Sequence, residues 1–217
     1  MVHVVLDLEM NPVDRKEKLI RKSLTDEVIE IGAVKLNEKY EQIGTFQKYI
    51  KPEYGPITKK ITQLTGITNE QVANEGNFEQ IFLEFMSWTG KEVTLYSWSN
   101  SDIYQLKCEC AYKLKAFEVK WLETHWIDLQ KEFDERIGLS SSTLALKHAV
   151  GAMNRNFKGT AHTALADAEN TAAILSLMQD DEAFKKTMQP VIDLLKPQTG
   201  LSTTIGDLFP ELLKLKL

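Results

Sequence analysis

The sequence predicts a mixed α/β domain built on a five-stranded sheet flanked by helices, followed by a helical C-terminal extension. Three observations predict it. β-Branched and alternating runs recur through the first fifty residues, helical periodicity takes over after them, and two short apolar runs, Val93–Trp98 and Trp126–Leu129, interrupt the helices. With 217 residues, 43% hydrophobic and 26% charged, the chain has an ordinary globular composition and enough length to bury a substantial core.

Val2 to Leu8 is apolar and β-branched and forms the first strand. Asn11-Pro12 follows, and the charged stretch from Asp14 to Lys22 suits a solvent-facing loop or helical excursion. Glu27–Leu36 alternates charged with apolar residues and Thr45–Ile50 extends toward Pro52, so the first three strands form an antiparallel meander. A short helix covers Gln63–Val72. Phe78, Ile81, Phe82, Phe85 and Met86 recur at helical spacing until Gly90 stops the helix. The strand Val93–Trp98 leads into a helix from Asp102 to Leu114, and Trp126–Leu129 is the last strand, with Asp128 at its end. Helices over Leu144–Met153 and Ala164–Met178 come next, the latter rich in the strong helix formers Ala and Leu. Past Asp180-Asp181 the composition shifts. Glu182–Leu195 is one more helix before Pro197, Gln198–Thr204 is a link, and Ile205–Leu217 is an amphipathic tail. The chain therefore divides into a domain over 1–178 and a helical extension over 179–217. The tail packs on its own domain or makes a homodimer contact.

Several classes are excluded. No apolar run approaches the roughly 20 residues of a membrane span, and the N-terminus reaches Asp7 too early for a signal peptide. The two cysteines, Cys108 and Cys110, are too few for a disulfide framework or a zinc site, and they lie about 200° apart on their helix, as packing residues do. These features describe a reduced, cytoplasmic protein without membrane attachment. The 26 basic and 31 acidic residues leave a net charge of −5, which is no basic footprint. Carboxylates that hold divalent cations are locally neutralised, however, so net charge does not exclude nucleic acid.

Three groups of acids stand out. Asp7 and Glu9 are two apart near the end of an apolar strand, so both point to one face while Leu8 points to the other. Such a pair is a strand end reaching water, or a site for a hard cation such as Mg²⁺ or Mn²⁺. Asp102 opens a helix directly after a strand, as a first-turn acid or a further ligand. His162 and Asp167 are five apart, about 140° around a helix. They converge only if His162 lies on the loop and Asp167 on the first helical turn, and Gly159-Thr160 supports such a loop.

Taken in order, these groups resemble the motifs of the DEDDh exonucleases, the DnaQ-like branch of the ribonuclease H-like superfamily. Asp7 and Glu9 match the first motif, Asp102 the second, and His162 with Asp167 the third. The resemblance covers roughly Met1 to Met178. Asp26-Glu-Val-Ile-Glu-Ile-Gly-Ala-Val34 is similar to the family's second strand, and Leu64-Thr-Gly-Ile-Thr68 to the loop that touches the terminal nucleotide. Trp98-Ser-Asn-Ser-Asp102, with Gln105-Leu106 and Cys110, is similar to the Eri-type and bacterial sporulation-inhibitor-like (KapD-like) exoribonuclease branch. Proofreading members carry Asn where this chain has Trp98. Met10 after Glu9 is closer to oligoribonuclease, whereas many relatives have Thr there.

The resemblance implies a ribonuclease H-like fold and a two-metal 3′→5′ exonuclease acting on single-stranded nucleic acid, RNA ahead of DNA. It implies that Asp7 bridges two divalent cations, Mg²⁺ or Mn²⁺, that Glu9 and Asp167 complete one, and that Asp102 holds the other mainly through water. His162 would be the general base, since an unperturbed imidazole titrates near 6.5. Thr163 lies four before Asp167, which disfavours the tyrosine subclass. Met10, Leu64 and Ile67, with Trp98 a further possibility, are the candidates for stacking on the terminal base; the alternative is packing beneath a loop for Leu64 and Ile67 and a place in the core for Trp98. An adaptor that binds 3′ ends on the same fold and a polymerase-associated proofreading exonuclease are the alternative readings.

Overall fold

The computed structural model describes residues 1–139 and 143–195; the predicted link Gln198–Thr204 and tail Ile205–Leu217, with any dimer contact they make, lie outside the described residues. Five strands, β1 (Val2–Pro12), β2 (Asp26–Leu36), β3 (Gln42–Tyr49), β4 (Val93–Ser97) and β5 (Trp126–Asp128), form one sheet in the order β3-β2-β1-β4-β5. The meander β1–β2–β3 is antiparallel, and β4 and β5 add on in parallel, so the sheet is mixed. β1 runs four residues beyond the predicted strand because it stays paired to β2 as far as Pro12 opposite Asp26. There the Pro ends the strand rather than interrupting it.

The helices are α1 (Lys59–Thr65), α2 (Asn69–Val72), α3 (Phe78–Thr89), α4 (Asn100–Lys113), α5 (Lys120–His125), α6 (Leu129–Ile137), α7 (Leu146–Ala152), α8 (Ala164–Met178) and α9 (Asp181–Leu195). The single helix predicted over Gln63–Val72 is two. Gly66, at φ +80°, ends α1 in the left-handed region, and Thr68 opens α2 with a capping box to Gln71. α5 and α6 are additions to the prediction. α6 starts on Asp128, whose side chain accepts from the Lys131 amide, and buries Leu129, Phe133 and Ile137 at four-residue spacing.

Strand alternation separates two cores. Val4, Leu6 and Leu8 pack with α3 and α4, while Val5 and Val34 pack with α6, α8 and α9. α9 belongs to this second core through Phe184 and Met188, so the extension begins as part of the domain's packing. α8 lies close on β2. A Cβ at Gly32 would stand 2.1 Å from the Leu165 nitrogen, so this glycine lets the first turn of α8 rest on the strand.

α4 is anchored by a buried charge cluster. The Lys113 ammonium meets Glu27 at 2.9 Å, Glu109 at 2.8 Å and Glu53 at 3.0 Å. Glu109 also accepts the Val28 amide at 2.9 Å, beside the register shift that follows Glu9 in the β1–β2 ladder. Burial alone would lower the Lys113 pKa, but Glu109 and Glu27 raise it above the ordinary lysine value. Lys113→Met leaves Glu27 and Glu109 buried without their cation. The expected loss is about 3–5 kcal/mol, read as a melting point roughly 6–20 °C lower. A loss under about 1 kcal/mol would show that the carboxylates do not depend on Lys113.

Candidate active site

β4 ends at Ser97, opposite the first half of β1, so the edge of β1 beyond Val5 has no strand beside it. α4 fills the gap with its first turn. The Leu8 amide, between Asp7 and Glu9, donates to Asp102 Oδ1 at 3.1 Å. That one bond sets Asp102 against the first-motif acids from 94 residues away. Ser99 caps the helix by accepting from the Ser101 amide.

Asp7 and Glu9 point to the face covered by α8, and Leu8 packs in the opposite core. Asp167 stands in the first turn of α8 and His162 on the loop before it. His162 adopts φ +66°, a left-handed conformation uncommon outside glycine. Its amide donates to Asp167 Oδ2 at 3.3 Å. Ligand atoms of Glu9, His162 and Asp167 all lie within 4.8 Å of one another. The structure thus brings Asp7, Glu9, Asp102, His162 and Asp167 to one place at the end of β1.

Glu30 is a further acid here, one that the sequence reading passed over. It pairs directly opposite Glu9 in the β1–β2 ladder, is buried, and accepts the Ala164 amide at the start of α8 at 3.2 Å. Gln47 donates to its other oxygen at 2.8 Å. Its place at the N-terminus of α8 suits a negative charge. A signal was available: counted in twos along β2, Glu30 shares a face with Gly32 and Val34, where a charge needs a partner.

Packed together, these acids resist ionisation. Burial, and then Asp102, Asp167, Glu9 and Glu30, hold Asp7 well above the ordinary aspartate range. Glu9 is pushed up to about 8 by burial, then by Asp167, Glu30 and Asp102. Asp102 rises to about 7 through burial, with Asp167 adding to it and the Leu8 amide opposing it. Asp167 is raised by burial against the opposing pull of the His162 amide and ring. Its Oδ1 is buried and has no hydrogen-bond partner among the described residues. An oxygen-only set of like charges with one orphaned oxygen fits a hard divalent cation.

A pH dependence follows with a definite sign. Between the unfolded value near 4.5 and the folded value near 8, Glu9 binds more protons in the native state than in the unfolded chain. Stability in chelator therefore falls as pH rises from about 5 to 8 and levels off above that. Melting curves in chelator at pH 5.5, 7 and 8.5 read this directly. A midpoint that climbs across that range would overturn the repulsive account.

The stacking candidates separate. Met10 is partly buried against the first core and Leu64 is 45% exposed on α1. Ile67 is 2% exposed, packed with Ile29, Ile57 and Val72 beneath the loop. Trp98 takes the core alternative rather than the stacking one: its ring is 6% exposed and packs on Phe133, and its Nε1 donates to the Leu144 carbonyl. Asn11 adds a clamp that the sequence reading missed. Its side chain accepts from the Thr58 amide at 2.9 Å and donates to the Pro56 carbonyl at 3.2 Å, tying the segment before α1 to the end of β1. Away from the site, His3 stacks on Tyr40 and His125 on Trp121.

Comparison with known proteins places the chain among exonucleases. The RNase T exonuclease family model matches residues 4–175. The chain is 29% identical over 168 residues to 3′-5′ exoribonuclease 1 of Rattus norvegicus, a match covering 71% of this chain and 47% of that protein. It thus spans about half the length of that relative. It is 27% identical over 189 residues to "Probable 3′-5′ exonuclease KapD" of Bacillus subtilis (strain 168), covering 86% of this chain and 89% of that one. Among solved structures, the nuclease domain of 3′hExo, a DEDDh family member bound to rAMP, superposes with a TM-score of 0.70 at 24% identity, over 83% of this chain and 92% of that domain.

Proposed function

Since the chain belongs to the RNase T exonuclease family, whose members use divalent metal ions, we propose that it is a 3′→5′ exonuclease that shortens single-stranded nucleic acid, RNA ahead of DNA, to nucleoside 5′-monophosphates. The observation that carries this reading is the convergence of Asp102, through the Leu8 amide, with the Glu9–His162–Asp167 cluster. An exoribonuclease among the relatives and an rAMP-bound structural neighbour support RNA as the preferred polymer. We place the catalytic unit in residues 1–178 and, because both cysteines are free, the protein in the reducing cytoplasm.

Asp7, Glu9, Asp102 and Asp167 would hold two divalent cations, Mg²⁺ or Mn²⁺. Such a pair, when bound, activates water and stabilises the attacking and leaving oxygens of an in-line displacement. The chain's own residues do the rest. His162 accepts the proton of the attacking water as the new phosphorus–oxygen bond forms. The bond from phosphorus to the 3′ oxygen of the preceding nucleotide breaks, and that oxygen takes a proton from solvent to become the new 3′ hydroxyl, while His162 later returns its proton to solvent. Glu30 holds the start of α8, and with it Asp167, against β2. Asn11 holds the segment before α1, which brings Leu64 toward the terminal base beside Met10.

The test uses 5′-labelled single-stranded RNA and matching DNA with Mg²⁺, Mn²⁺ or chelator. The expected result is a metal-dependent ladder shortening from the 3′ end, faster on RNA. Binding of 3′ ends with no ladder under any metal would replace the enzyme by an adaptor on the same fold.

A further inference from the structure

A second surface lies on the opposite side of α4 from the acidic centre. A groove of about 450 Å³ runs along the outer face of α4, lined by Ser23, Tyr104, Lys107, Cys108, Ala111 and Tyr112. We propose that this groove is the path of the substrate strand upstream of the reacting nucleotide: a binding site for the backbone phosphates and bases of single-stranded nucleic acid. The proposal rests on the exonuclease reading and extends it to the part of the substrate that is not cut.

Three independent features point to this ligand. Tyr104 is 67% exposed, the one aromatic side chain left largely open among the described residues. An open aromatic face is what sequence-tolerant stacking requires. The lining also holds no carboxylate, and its one charged group is Lys107, which is ion-paired to Glu123. The larger cavity beside α6, by contrast, is lined by the acids Asp128, Asp134 and Glu135 against the single cation Lys131, a net negative lining. Finally, the segment that ends at the groove wall, residues 15–22, carries Arg15, Lys16, Lys18, Arg21 and Lys22 against the single acid Glu17, in a chain of net charge −5. Arg15, Lys16, Lys18 and Lys22 are exposed and make no ion pair among the described residues. Phosphates attract such a cluster, and its counterions are released on binding.

The groove is also placed to receive the strand. Tyr104 is two residues past Asp102, so it lies about 200° around the helix from the acidic centre. A strand leaving that centre would reach Tyr104 by crossing the N-terminal end of α4, where Asn100 and Ser101 are exposed. From Ser101 to Ala111 the helix offers about 15 Å of length, enough for a few nucleotides. A dinucleotide ends before it arrives there.

That difference supplies the test. Tyr104→Ala and the double variant Lys18→Glu/Lys22→Glu are compared with the unmodified protein on a single-stranded RNA 12-mer and on a dinucleotide. KM for the 12-mer is expected to rise on the order of tenfold for Tyr104→Ala, with dinucleotide cleavage unchanged. The double variant should also flatten the dependence of 12-mer binding on salt. A second readout needs no turnover. Cys110 is buried and Cys108 partly exposed, so alkylation reports Cys108, and the 12-mer in chelator should protect it. Equal losses on both substrates, or unchanged 12-mer kinetics with Cys108 unprotected, would overturn the proposal. If the unmodified protein cleaves neither substrate, the exonuclease reading fails, while protection of Cys108 by the 12-mer would still support the groove.

Discussion

Asp7→Asn is expected to abolish shortening of RNA and, in the same protein, to raise the melting point measured in chelator. The two effects have one cause. Asp7 faces Asp102, Asp167, Glu9 and Glu30, all of which raise its pKa on top of burial. In the absence of a cation this crowding destabilises the fold, and most so at alkaline pH, where more of the group is ionised. An amide of the same size removes one charge and leaves the packing of β1 against α8 as it is. At pH 8.5 the variant should melt a few degrees higher in chelator, the range that about 1 kcal/mol produces in a chain of this size. Added Mg²⁺ or Mn²⁺ should then stabilise the unmodified protein by mass action and the variant far less, because a neutral amide is a poor bridge between cations. Wild-type turnover in the variant would remove Asp7 from the metal-binding set. A lower melting point in chelator would mean that Asp7 stabilises the metal-free fold, contrary to the repulsion argued here.

What could be read from the chain and what could not follow from the range of the interactions. The side on which Asp7 and Glu9 fall is decided by alternation, a property of neighbours, and the structure has Leu8 on the opposite face as alternation requires. The His162 loop was legible because a five-residue separation admits only a loop and a first turn, and Gly159, at φ +75°, turns the chain there. The bond from Leu8 to Asp102 was not legible: nothing near either residue says that β4 stops short and leaves the edge of β1 open to a helix. Glu30 was hidden for a related reason. In a strand that alternates charged and apolar residues it looks solvent-facing; its sharing a face with Gly32 and Val34 is the one local signal against that, and the pairing with Glu9 and the closeness of α8 at Gly32 are what cover it. Trp98 could not be settled between core and platform, because an aromatic residue at a strand end suits either, and α6, absent from the prediction, supplies the core through Phe133. Asn11 suffered from its neighbour. Asn-Pro looks like a strand terminator, yet β1 continues through it and the side chain becomes a clamp on the segment before α1.

His162→Ala separates two roles that geometry alone leaves together. The imidazole shares a 4.8 Å neighbourhood with Glu9 and Asp167, close enough to be a ligand or a base. As the base, its loss should lower kcat on the order of 10²–10⁴-fold, while the four carboxylates keep their affinity for cation. The melting-point increase on adding Mg²⁺ or Mn²⁺ should therefore match that of the unmodified protein. As a ligand, its loss would lower both together. Backbone conformation supplies a control, because His162 sits at φ +66°. Alanine bears the same left-handed strain, whereas glycine relieves about 1–2 kcal/mol of it and gives back part of that in unfolded-chain entropy. His162→Gly should thus lose as much rate as His162→Ala while folding at least as stably. If the glycine variant recovered activity that the alanine variant lacks, the loop's conformation rather than the ring would be the contribution of this position. Full activity at neutral pH in both variants would remove His162 from the mechanism and leave the proton of the attacking water to another acceptor.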